Sequence, residues 1–242
     1  MYLYISMNGK YYDLNCFPVA SSGRMRSVYL LPDNPKLILK TISRERLGDD
    51  GHIVSQKRFK HWRPVGRYLV FNREVHEYFR LKNRTFFEPE TNLPIPTIYG
   101  FADTSNGLGM LIEKVSDQNG GLAPTMYGLA KTGALETKHR QAFAEFEAKC
   151  RNVQLILGDA NPGNFVFTET RSGEPEWVCV DGFGVRTLIP VNLYSKWANG
   201  RALSKRFTWL NAYLDRHIQS SNRLTTGAST HPTKNPAITR RA

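Results

Sequence analysis

Cysteine is scarce in this chain. Only Cys16, Cys150 and Cys179 occur among 242 residues. Three thiols, odd in number and without metal-site spacing, argue against a disulfide framework or a cysteine-built zinc site, and fit reduced thiols in a cytoplasmic protein. No apolar run approaches the length of a membrane span. The start, MYLYISMNGKYYDL, lacks both the basic head and the apolar core of a secretory signal. No internal repeat is visible. Acid is short relative to base, with 21 Asp and Glu against 33 Lys and Arg, a net charge of +12. Such a surface favours phosphate, nucleic acid or acidic membranes as partners and says nothing about fold. What is present is a chain 40% hydrophobic and 12% aromatic, enough to bury the core of one large domain or two small lobes.

The most informative stretch is Leu157 to Gly184. It reads LGDANPGNFVF, a polar turn with Ser172, Gly173 and Pro175, then EWVCVDGFG. The two apolar runs, Phe165–Phe167 and Trp177–Val180, fit a β-hairpin. Asp159 and Asn164 precede the first run and Asp181 follows the second, so all three should meet at one end. Asp and Asn are also ordinary turn residues. Two carboxylates and an amide in one place nonetheless suit a specific task. They can hold Mg²⁺, which prefers hard oxygen ligands shared with phosphates, and position a hydroxyl against a nucleotide's terminal phosphate. The order and spacing are those of a kinase catalytic loop and its metal-binding Asp.

Upstream, Asn8-Gly9 between two apolar-rich runs signals a hairpin. Strands are expected at Cys16–Ala20, Ser27–Leu31 and Lys36–Ile42, the last two separated by Pro32-Asp33-Asn34-Pro35. Between the first two lies SSGRMR. Only Gly23 matches the phosphate-covering pattern G-x-G-x-x-G; Ser21 and Arg26 take the other two glycine positions. Val28, two residues on, is placed to roof an adenine. Lys40 lies inside the apolar run LILKTI, and a buried ammonium must be paired, although an edge lysine can also snorkel. In a kinase it grips the α/β-phosphates and pairs with a helix glutamate. Glu74 in NREVHEYFRLKN is the first candidate and Glu77 the rival, with Val75, Tyr78, Phe79 and Leu81 expected on the core side. Residues 43–72 form a long insert whose latter half, Lys57 to Tyr68, interleaves bases and aromatics. This suits an acidic partner, or else a solvated insertion.

Downstream, LPIPTIYG feeds a strand, and LGMLIEKV is the next. Glu113 near its end is grouped with the nucleotide-contacting positions, because a kinase hinge would lie between here and Gly121. Leu135 to Cys150 is an amphipathic helix with Leu135, Phe143, Phe146 and Cys150 inward. Val191 to His217 reads as one or two helices with Trp197, Leu203, Phe207, Leu210 and Leu214 as core. From about Gln219 the chain is basic and polar without acid, and is expected to be a disordered tail.

Lys40, Glu74, Asp159, Asn164 and Asp181 occur in the order of the protein kinase-like fold. LGDANPGN resembles the small-molecule kinases, such as aminoglycoside and choline kinases, more than protein kinases. The segment VCVDGFGVRTLIPVNLYSKWANGRALSKRF resembles the end of the YrbL family associated with the PhoP regulatory network, including Leu188-Ile189-Pro190 and Ser195-Lys196-Trp197. The likeness spans roughly residues 17 to 215. It implies an α+β, two-lobed kinase-like fold, with an N-lobe over 1–115, a small helical C-lobe over 116–218 and the tail over 219–242. It also implies ATP and Mg²⁺, with Asp159 as catalytic base, Asn164 and Asp181 as metal ligands, and Lys40 with Glu74 as the phosphate clamp. Departures from the protein-kinase pattern are Leu157 for the usual His, Gly158 for an Arg, Asn161 for a Lys, and no A-P-E. They favour a kinase of small molecules or a pseudokinase. A nucleic-acid-binding protein is a third possibility, resting on net charge and the basic insert. The acceptor, protein or small molecule, is not specified.

Overall fold

The computed structural model describes residues 11–23, 25–48, 65–88, 91–186 and 191–227. The hairpin expected at Asn8-Gly9, the Lys57–Arg63 part of the basic segment, Leu188-Ile189-Pro190 and the chain beyond Gly227 lie outside the described residues. The protein is a mixed α+β structure. Strands β1 (Val19–Ser22), β2 (Arg26–Leu30), β3 (Leu37–Ile42), β4 (Ile98–Thr104) and β5 (Gly107–Glu113) form one sheet in the order β1-β2-β3-β5-β4. Every pairing between these strands is antiparallel. The strand expected from Cys16 begins only at Val19. Asp13 accepts the Asn15 N–H and closes a 3-10 turn over Leu14–Cys16 instead.

The two-residue period of a strand divides this sheet into two faces. Leu37 and Leu39 join Leu14, Tyr29, Leu31 and Leu111 on one side. Ile38 and Ile42 join Met110, Ile112 and Phe71 on the other, with Val28, Leu30 and Val75 packed around them. Phe71 and Val75 belong to helix α1 (Leu69–Arg84), so α1 covers this second face. Residues 69–72, assigned from sequence to the insert, are its first turn. The inward positions of α1 are Phe71, Glu74, Glu77 and Leu81. Phe79, expected in the core, lies off that stripe and is 65% exposed.

The larger core lies in the second half of the chain. Helices α2 (Met126–Thr132), α3 (Thr137–Asn152), α4 (Val191–Tyr194) and α5 (Lys196–Gly227) accompany the hairpin β6 (Phe165–Thr168) and β7 (Glu176–Cys179). Phe143, Phe146 and Cys150 of α3 meet Phe165, Phe167, Trp177 and Cys179 of the hairpin and Leu203, Phe207, Leu210 and Leu214 of α5. The last four recur every three or four residues, the signature of one helical face. Trp197 falls off that face and is 74% exposed. Asn199 is buried in its stead, donating its amide to the carbonyls of Gln154 and Leu155. α5 continues to Gly227, past the position where the tail was expected to start. Among the described residues, no helix is long and apolar enough to cross a membrane.

Candidate active site

The β6–β7 register sets the centre of the site. Phe165 pairs with Cys179 and Phe167 with Trp177, and the Val180 N–H donates to the Asn164 carbonyl at 2.8 Å. Asn164 and Asp181 therefore flank the open end of the hairpin. The backbone then ties the preceding loop to the following one. Both Gly158 and Asp159 N–H groups donate to the Gly182 carbonyl, at 2.7 and 2.8 Å, and the Asn164 amide reaches the Asp159 carbonyl at 3.4 Å. Gly182 makes this closeness possible. Its φ is +78°, and a Cβ there would lie 2.6 Å from Asn164 Nδ2 and 2.9 Å from Asp159 Cβ. Asp159, Asn164 and Asp181 are thus brought together.

Lys40 arrives from the sheet. The strand period places it on the α1 side with Ile38 and Ile42, paired in register with Val28. It is 5% exposed. Its ammonium donates to the Val180 carbonyl at 2.5 Å and lies 3.8 Å from Glu74 Oε2. Burial pushes its pKa down to about 8, opposed by Glu74 and assisted by the positive Arg26. Of the two candidate glutamates, Glu74 is the one that meets Lys40. Glu77 is equally buried but holds Arg80 at 2.5 Å and accepts the Ile156 N–H.

Two arginines with no assigned role complete the picture. Arg26 occupies the third glycine position of the incomplete phosphate-loop pattern. It shares the face of Val28 and Leu30 by strand alternation and is buried. Its guanidinium bridges Glu74, at 2.5 Å, and Asp181. Arg186 pairs with Asp159 at 2.8 Å in a half-exposed setting. It also explains Gly158, where a Cβ would lie 2.6 Å from both Arg186 Cδ and the Gly184 carbonyl. The alternation of β2 could have revealed Arg26; no sequence signal marks Arg186.

The remaining candidates sit apart from this cluster. Gly23 is exposed in the β1–β2 turn, its N–H donating to the Arg26 carbonyl at 2.8 Å. A Cβ there would meet nothing closer than 3.6 Å, so the geometry does not call for glycine. The Glu113 carboxylate holds Arg171 at 2.7 Å and accepts the Thr97 N–H. Arg171 donates as well to the carbonyls of Leu93 and Ile95. This carboxylate serves as a strut and is not free for a ligand. Leu157, in place of the expected His, is buried in the main core.

Among the described residues, no group of three or more His, Cys, Asp or Glu side chains could form a protein-only metal cage. The donors at hand are the Asp181 carboxylate, 40% exposed, and the neighbouring Asn164 amide. That set fits Mg²⁺, which keeps waters and phosphate oxygens as its other ligands.

Residues 14–215 match the family model described as PhoP regulatory network protein YrbL. This chain belongs to that family. It is 23% identical over 179 residues to "Uncharacterized protein YrbL" of Escherichia coli (strain K12), covering 73% of this chain and 75% of the relative. The protein of the same description from Shigella flexneri matches to the same extent.

Proposed function

We propose that the chain is an ATP- and Mg²⁺-dependent phosphotransferase with a two-lobed kinase-like fold, working in the cytoplasm within a bacterial regulatory network. In this reading the sheet with α1 is the N-lobe, ending near residue 115, and the helices with the β6–β7 hairpin are the C-lobe, from 116 to about 218. The observation that carries it is the placement of Lys40 between Glu74 and the carbonyl of Val180, one residue before Asp181. This links the lysine of the sheet to the Asp159–Asn164–Asp181 cluster.

In the proposed mechanism Glu74 orients Lys40, which holds the α/β-phosphates. Val28 packs against the adenine, and the strand end at Glu113 offers it backbone. Asp181 and Asn164 would hold Mg²⁺, which when bound neutralises charge on the β- and γ-phosphates. Asp159 orients the acceptor hydroxyl and takes its proton. The acceptor oxygen forms a bond to the γ-phosphorus, the bridging bond to the β-phosphate breaks, and ADP leaves with that electron pair. Arg26 must yield Asp181, and Arg186 must share or yield Asp159, before this arrangement is complete.

That requirement favours a second reading. With Arg26 on Asp181 and Arg186 on Asp159, the chain is a pseudokinase, a nucleotide-binding or protein-binding module without turnover. A nucleic-acid-binding role leaves the carboxylate cluster unexplained. The test pairs calorimetry of ATP, with and without Mg²⁺, with phosphate release for wild type, Asp159→Asn and Asp181→Asn. Phosphotransfer predicts that Asp181→Asn loses the Mg²⁺-dependent part of binding. Asp159→Asn should bind Mg²⁺-ATP normally yet turn over slower by on the order of 10²-fold or more. Wild-type turnover no faster than Asp159→Asn establishes the pseudokinase. No nucleotide binding at all defeats both readings.

A further inference from the structure

Beside Asp159 lies an open cleft of about 560 Å³, lined by Tyr127, Asn161, Pro162, Trp209 and Tyr213 together with Asp159 itself. Its walls come from three places in the chain: α2 supplies Tyr127, the loop before β6 supplies Asp159 to Pro162, and α5 supplies Trp209 and Tyr213. Tyr127 and Trp209 are 56% and 51% exposed, and what sets them apart from the other exposed aromatics is that they converge on one cleft. The Trp209 and Tyr213 rings stack with centroids 5.8 Å apart and 28° between planes, so each braces the other as a stacked pair on the cleft wall. Tyr127 and Tyr213 both line the cleft, and burial, then the neighbouring Tyr127, push the Tyr213 phenol pKa up.

Charge narrows what fits. Asp159 is the single carboxylate on the lining, and it is already matched by Arg186. Arg206, one turn before Trp209 on α5, is half-buried and feels the Asp159 charge. The nearby Asp215 is matched by Arg140 at 2.9 Å. A cationic ligand would have to compete for this one carboxylate with Arg186, which pairs with it, and Arg206, which feels its charge, so the balance of charge there is positive.

We infer that this cleft is the acceptor subsite, and that it takes a neutral or acidic sugar-like ring. Such a ring lays an apolar C–H face on Trp209 and Tyr213, hydrogen-bonds its edge to the phenols of Tyr127 and Tyr213, and directs one hydroxyl at Asp159. The assignment rests on the phosphotransfer reading for the role of that hydroxyl, but its binding chemistry stands on the cleft. It runs against the polycationic and choline-like acceptors of the small-molecule kinases that LGDANPGN resembles.

The test uses saturation-transfer NMR on the full chain with four probes: methyl β-glucopyranoside, glucuronate, choline and kanamycin. The two sugars should show transfer that drops about threefold or more in Trp209→Ala and in Tyr127→Ala, the loss expected for one aromatic contact. Choline and kanamycin should show none. Both substitutions sit at half-exposed positions on different helices, so a folding defect in one leaves the other informative. Transfer to choline or kanamycin that depends on Trp209 overturns the inference. So does an absence of sugar transfer, or sugar transfer indifferent to both substitutions. Adding Mg²⁺-ATP to the same samples separates the two claims. Sugar binding without ADP formation defeats phosphotransfer and leaves the subsite. Asp159-dependent ADP formation driven by kanamycin or choline defeats the subsite assignment and leaves phosphotransfer.

Discussion

At Arg26 one guanidinium serves two carboxylates, Glu74 in the interior and Asp181 at the cleft. Removing it strands Glu74 with Lys40 alone, 3.8 Å away. Arg26→Met should therefore cost about 3 kcal/mol in denaturant unfolding, as for other broken buried pairs. It should also strengthen the Mg²⁺-dependent part of ATP binding, because Asp181 is released; unchanged binding would show that Arg26 does not compete for that carboxylate. Lys40 supplies a second test. Its pKa falls from the ordinary 10.5 to about 8, chiefly through burial. Between those two values the unfolded chain keeps a proton that the folded chain has shed, so stability rises with pH across that window. Relative to Lys40→Met, the wild type should gain on the order of 3 kcal/mol between pH 7.5 and 11. A pH-independent difference would mean that Lys40 is solvated. Lys40 was legible in the sequence because an ammonium inside LILKTI needs a partner. The sequence also put Glu74 ahead of Glu77; both are buried, and Glu74 is the one that meets Lys40. Arg26 read as a defect in a glycine pattern, when strand alternation directs it inward beside Lys40.

Among the elements, the β6–β7 hairpin was the most readable, because its two apolar runs and intervening turn fix both register and open end. Its working part is the glycine after Asp181. Gly182→Ala adds a methyl between Asn164 and Asp159 at a backbone angle that L-residues avoid. We expect a loss of about 2 kcal/mol in stability and a larger fractional loss of Mg²⁺-ATP binding than stability alone explains. Equal binding in the two proteins would show that the loop tolerates the displacement. α5 was harder to read. Its core stripe of Leu203, Phe207, Leu210 and Leu214 was visible, but Trp197 has the same composition signal and faces out. Trp209 and Tyr213 gave no sign of their own, since a second aromatic stripe on a long helix looks like more core until the packed face is known. Leu214→Ala should cost about 2–5 kcal/mol by leaving a cavity in the main core; a smaller loss would mean that the end of α5 is peripheral.

For the whole molecule, the net charge of +12 finds no explanation in the carboxylate cluster, where Arg26, Lys40 and Arg186 are matched by Glu74, Asp181 and Asp159. The surplus lies elsewhere, and the segment from Lys57 to Arg67 is its densest internal concentration. An acidic partner for that segment, as against a solvated insertion, can be tested directly. Neutralising Lys57, Arg58, Lys60 and Arg63 together should leave ATP affinity within about twofold while reducing salt-dependent association with acidic polymers. A large loss of ATP affinity would place the segment at the nucleotide. Charge alone could not have told these roles apart, because paired and unpaired cations count equally in a sequence.

Arg171 holds Glu113, the carbonyls of Leu93 and Ile95, and thereby fastens the turn between β6 and β7 to the far end of the sheet. Across the molecule the same two parts are fastened by Lys40 on Val180 and Arg26 on Asp181. The first fastening uses no group that a ligand would claim, and the second uses little else. In mechanical terms Arg171 is a hinge pin and the Arg26–Asp181 pair a latch. A ligand on those carboxylates should speed amide exchange around Lys40 and Val180 and leave it unchanged around Arg171; an equal change on both sides would show that the two fastenings yield together.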